Sequence, residues 1–126
     1  MSLSRNISFI QSDFVSANEI SIRKATVTQA TAITSGVTLN SPAGVITTFS
    51  SANLLSTNGN ASFSVNNSFV NSDSLVLGNI VNYAGSTGAP VARVQGVTNG
   101  SFSVVIRNVD DVYPLNGAIK FGYSIL

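Results

Sequence analysis

Five carboxylates make up the chain's acidic groups: Asp13, Glu19, Asp73, Asp110 and Asp111. The chain has no histidine and no cysteine. A general base would therefore have to be Asp, Glu, Lys or Tyr, and a nucleophile Ser, Thr or a carboxylate. Glycoside hydrolysis needs two carboxylates flanking one bond, and the pairs on offer are Asp73 with Asp110 or Asp111. The last two are adjacent, and neighbours on a strand point to opposite faces, so both reach one substrate only from a loop. Asn108, Asp110 and Asp111 could also give oxygen ligands to calcium. The same stretch, NVDDVYP, equally reads as a polar loop in which Asn and Asp cap turns and Pro114 fixes the exit. No EF-hand spacing or glycine-aspartate repeat accompanies it. The expectation is a protein with no cofactor and no enzymatic activity.

Sugar binding on a β-protein usually relies on exposed aromatic rings. There is no Trp among the 126 residues, and the seven Phe mostly fall at alternating apolar positions. Tyr83 and Tyr113 stand at loop edges and are the candidates for stacking on a glycan. A tyrosine with a buried ring and a wet hydroxyl is the competing reading, and exposure of both rings decides between them.

These groups must be carried by strands. Val, Ile, Thr and Phe dominate the apolar positions, and no window holds an i, i+3, i+4, i+7 apolar stripe free of β-branched residues. Candidate strands fall at residues 19–29, 36–40, 45–49, 61–65, 74–83, 91–97, 101–107 and 118–126. Turn signals separate them: NSPAG, STNGN, GSTGAP, TNG and YPLNG. The last strand is the clearest, with Ile119, Phe121, Tyr123 and Ile125 on one face and Lys120, Gly122 and Ser124 on the other. In 101–107 the alternation breaks at Val105, an apolar residue on the face expected to be wet, which points to a partner surface. In 19–29 the apolar phase shifts from Ile20 and Ile22 to Ala25 and Val27, predicting a bulge or break near Arg23 and Lys24.

Six letters are nearly repeated, NASFSV at 60–65 and NGSFSV at 99–104. The match does not continue, so it reads as shared local physics. In each copy a turn enters a strand and an Asn-containing loop leads to a second strand. Eight strands with no helical crossover predict an all-β fold, an antiparallel β-sandwich of jelly-roll or related Greek-key type. Residues 19–126 form this domain. Residues 1–18, with Ile7, Phe9, Ile10, Phe14 and Val15 as apolar anchors, read as an N-terminal arm that packs on a partner.

Composition narrows the partners. Charged residues are 9% of the chain and the net charge is +1, with the basic residues scattered apart from Arg23 and Lys24. Nucleic-acid binding needs clustered positive charge, so no nucleic-acid partner is expected. No run approaches the roughly 18 apolar residues of a membrane span, and the start MSLSRNISFIQSDF lacks the apolar core of a signal peptide. Sequons begin at Asn6, Asn60, Asn66 and Asn99, and without a secretory signal they read as Asn in turns.

Four segments carry a resemblance: VTQATAITSGVTLNSPAGVITT (27–48), SFSVNNSFVNSDSLVLGNIVNYAGSTGAPVARV (62–94), GSFSVVIRN (100–108) and LNGAIKFGYSIL (115–126). Together they resemble small virion proteins, and terminal domains of fibre-like proteins, of tailed bacteriophages. The marks are the GVTLN and GVITT strands, Asn67 and Asn108 closing the two echoed strands, and Leu115-Asn116-Gly117 before the final strand. The resemblance covers residues 24–126. It implies a β-sandwich virion component, often trimeric, that decorates a capsid or caps a fibre. The leading expectation is a homotrimeric capsid decoration, or cement, protein on the capsid surface, binding over the major capsid protein or another virion protein. Ile7, Phe9, Phe14 and Val105 are its candidate shell or subunit contacts. The alternative is a receptor-binding or distal domain of a head or tail fibre that recognises a host glycan through Tyr83 and Tyr113. A third reading is an unrelated carbohydrate-binding module.

Overall fold

The computed structural model of the protein describes residues 24–126. The arm with Ile7, Phe9 and Phe14, and the expected break at Arg23, lie outside the described residues. Eight strands follow in order: β1 (Lys24–Thr28), β2 (Val37–Thr38), β3 (Ala43–Thr47), β4 (Asn60–Asn66), β5 (Val76–Tyr83), β6 (Pro90–Thr98), β7 (Ser101–Asn108) and β8 (Ile119–Ile125). Each strand expected from periodicity has a counterpart, and the described residues contain no helix.

The strands make two four-stranded sheets, ordered β1-β3-β8-β5 and β2-β4-β7-β6. Two-residue periodicity gives each central strand one apolar face. In β4 that face is Ala61, Phe63 and Val65; in β8 it is Ile119, Phe121 and Tyr123, all buried. Both faces enter one hydrophobic core, with Ile46, Phe102, Val104, Ile106 and Leu115 also fully enclosed. The Phe102 ring of one sheet meets the Tyr123 ring of the other edge to face at 5.3 Å, a geometry in which one ring's positive edge meets the other's negative face.

The antiparallel expectation needs correction at one edge of each sheet. β1 pairs with β3 in parallel, and β2 pairs with β4 in parallel. Parallel neighbours require a crossover, usually a helix. Here the crossover from β1 to β3 runs through β2 in the opposite sheet, and that from β2 to β4 runs through β3, so each strand serves as the other pair's connection. The chain changes sheet at every connection except β6 to β7. That hairpin turns at Asn99 and Gly100, where Gly100 alone takes a positive φ of 86°.

The echoed segments are neighbours. β4 and β7 pair antiparallel with Phe63 opposite Val104 and Val65 opposite Phe102, so the Phe of each copy faces the Val of the other and the equivalent Ser64 and Ser103 face each other at the centre. Each copy then leads into a strand of the other sheet, β5 or β8, which also pair antiparallel.

Candidate functional site

Asn67 and Asn108, each just past an echoed strand's apolar face, are buried. Asparagine suits such places because its short side chain offers one acceptor and two donors. The Asn67 Oδ1 accepts the Phe69 N–H at 2.8 Å, and its Nδ2 donates to the Ser41 carbonyl at 2.8 Å and the Tyr123 hydroxyl at 3.0 Å. The Asn108 Oδ1 accepts the N–H groups of Ala89 and Asp110, at 3.0 and 3.1 Å. Its Nδ2 donates to the carbonyls of Ser56 at 3.2 Å and Tyr113 at 2.9 Å. The two asparagines thus clamp loops at opposite ends of β4 and β7.

Tyr123 donates to the Ser41 carbonyl at 3.0 Å. Burial raises its pKa above the ordinary 10.0, while the hydrogen bond from Asn67 pulls the other way. A raised folded-state value means that the fold favours the protonated phenol. The stabilisation is complete below the unfolded value near pH 10 and is lost as pH rises through the higher folded one. Above pH 10 the urea midpoint of the wild type is therefore expected to fall more steeply than that of Tyr123→Phe. At pH 7 that variant is expected to be less stable by about 1–2 kcal/mol. Equal alkaline slopes for the two proteins would refute the assignment.

The sequence candidates separate in space. Asp73 lies in the β4–β5 loop, beside the 98–101 turn, and Asp110 and Asp111 lie in the β7–β8 loop at the other end of β7. Seven rises along that strand put them roughly 25 Å apart, well beyond the separation of a glycosidase pair. The Asp110 Oδ1 accepts the N–H groups of Val112 at 2.7 Å and Tyr113 at 3.1 Å. The NVDDVYP stretch is thus the capped polar loop, and no cluster of three His, Cys, Asp or Glu occurs among the described residues. Tyr113 presents an open ring, 55% exposed. Tyr83 does not: its ring packs against the core. Its hydroxyl donates to the Thr87 carbonyl at 2.5 Å and accepts the Asn116 N–H at 2.9 Å.

Val105 is on the outer face of the second sheet, as its phase predicted, yet it is buried. It stands on a central strand between Ser62 of β4 and Arg93 of β6. It lines a groove of about 370 Å³ together with Ser62, Arg93, Gln95, Asn60 and Arg107.

Leu77 and Val81 escaped the sequence reading. They project from the outer face of the first sheet, 50% and 60% exposed, beside a groove of about 460 Å³ that also involves Lys24, Val45 and Gly122. Val81 is the extra residue of a bulge, since Ile80 pairs with Phe121 and Asn82 with Lys120. A signal was present in the apolar doublets Val76-Leu77 and Ile80-Val81, because adjacent strand residues cannot both face one core. No protein-family model, no curated protein and no solved structure matches this chain.

Proposed function

We propose that this chain is a non-enzymatic structural protein of a bacteriophage particle, a capsid decoration protein that binds over major capsid subunits as a homotrimer. The observation that carries the proposal is the exposed apolar pair Leu77 and Val81 on the outer face of the first sheet, which flank a groove. Exposed apolar side chains beside a groove are poorly matched to water and well matched to a second copy or a shell. The resemblance of residues 24–126 to small virion proteins supports the same reading. Jelly-roll topology is part of the proposal, and the alternation of eight strands between two facing sheets supports it.

In this reading Leu77 and Val81 bury apolar area between subunits, while Ile7, Phe9 and Phe14 of the arm make the shell contacts. Three linked contacts per trimer then give avidity without any single tight interface. The test is cryo-electron microscopy of purified particles, with Leu77→Asp and a chain lacking residues 1–18 compared in particle rebinding. Trimers covering the icosahedral shell are expected, with Leu77→Asp monomeric by analytical ultracentrifugation and the shortened chain unbound. A few copies confined to the tail or a vertex would overturn the proposal and favour the fibre-domain alternative, for which Tyr113 is the available open ring.

A further inference from the structure

We propose that the outer face of the second sheet binds acidic polypeptide segments, with Arg93 and Arg107 as the residues that hold their carboxylates. The site goes beyond the virion reading and does not depend on it. Arg93 of β6 stands opposite Val105 of β7, and Arg107 opposite Val91. The two guanidinium groups therefore spring from diagonal positions of adjacent antiparallel strands, whose Cα atoms are typically about 7–8 Å apart. That is close enough for both to reach one acidic side chain, or two on one segment.

Like charges at neighbouring positions repel, and this chain has only six basic residues in all. Two of them nevertheless meet here. Neither guanidinium has an ion-pair or side-chain hydrogen-bond partner among the described residues. Among the described residues, no carboxylate lines the groove between them. In the loop that follows Arg107, one oxygen of Asp110 is already engaged by Val112 and Tyr113. The positive charge is thus uncompensated within the described fold.

The surroundings favour a carboxylate on a peptide. Val105, buried on the groove floor, supplies an apolar base that displaces water from an ion pair formed above it. Arginine is weakly hydrated and planar, and it binds a carboxylate through two parallel N–H donors. Ser62, Gln95 and Asn60 line the walls with uncharged donors and acceptors that can meet the amide groups of an extended chain. Among the described residues no aromatic ring lines the groove, so they offer no platform on which an acidic sugar would stack.

The test is a titration of the isotope-labelled full chain with a short oligoglutamate peptide, followed by nuclear magnetic resonance. Shift changes are expected at Ser62, Arg93, Val105 and Arg107, weakening as salt is raised. Arg93→Gln and Arg107→Gln should each weaken binding about tenfold or more, since each removes hydrogen bonds to a charged group. Arg93→Lys keeps the charge without the planar fork and should fall between the wild type and Arg93→Gln, and it gives the same reading if a Gln variant does not fold. Shift changes on another face, or unchanged affinity in the arginine variants, would overturn the proposal. So would inorganic phosphate binding as tightly as the peptide, or an oligogalacturonate binding more tightly. The titration uses the purified chain alone, so its failure leaves the particle experiment untouched.

Discussion

Asn108→Ala is expected to lower the stability of the fold by roughly 3–5 kcal/mol, a large fraction of the 5–15 kcal/mol typical of a domain. The side chain is completely buried, and four backbone groups bond to it: the N–H of Ala89 and Asp110, the carbonyl of Tyr113, and the carbonyl of Ser56, which also accepts the Gly59 N–H. Alanine leaves all four without that partner. The loss is larger than that of a surface hydrogen bond because the amide is enclosed, its partners are partly desolvated, and the variant gives them nothing in return. Asn108→Asp separates hydrogen bonding from shape. It keeps the acceptor for Ala89 and Asp110 but turns an oxygen toward two carbonyl oxygens. Its carboxyl is favoured neutral in the fold, so this variant should lose stability as pH rises from 4 to 7, a range in which the wild-type side chain does not titrate. Urea unfolding read by circular dichroism measures both effects, and an unchanged midpoint for Asn108→Ala would contradict the clamp.

Gly78→Ala is expected to destabilise by about 2–3 kcal/mol although it adds a single methyl group on an edge strand. Gly78 of β5 and Tyr123 of β8 are cross-strand partners, and the Phe121 ring lies over the glycine. An added Cβ would overlap Cζ of that ring and lie 2.8 Å from its Cε2. Phe121 is fully enclosed, so its ring has no solvent into which to swing. The decisive measurement is a double-mutant cycle. Phe121→Leu alone opens space in the core and also destabilises, but in its presence the Gly78→Ala methyl has room. The double variant should therefore be more stable than the sum of the two single losses by about 1 kcal/mol or more. Strict additivity would mean that the ring and the glycine do not constrain each other.

Part of the site chemistry was legible in residue types. NVDDVYP is the capped loop that its Asn, Asp and Pro suggest, and Val105 faces outward as its phase requires. Exposure was not legible. Tyr83 and Tyr113 are the same residue type, each at the edge of a loop. Tyr83 is fastened by Thr87 and Asn116 while Tyr113 stands open, because only the packed loops bring Asn116 back to the β5 end. Val105 is buried although it lies on the outer face, because β7 is central and has a neighbour on each side. Arg93 and Arg107 are separated along the chain and become neighbours through the register of the β6–β7 hairpin.

The positions of the strands and the apolar face of each follow from residue order alone, as in the buried Ile119, Phe121 and Tyr123 of β8. The reason is that a two-residue period is written into every strand and needs no knowledge of its neighbours. Which strands pair is set by the packing of the whole chain. That packing places β1 beside β3 and β2 beside β4 in parallel, and puts the two echoed strands side by side. Backbone donors and acceptors are chemically alike in every strand, so they carry no address. The partner is chosen by how the faces fill one core, with Phe102 against Tyr123 and Phe121 over Gly78, and by where buried side chains such as Asn67 and Asn108 find their hydrogen bonds.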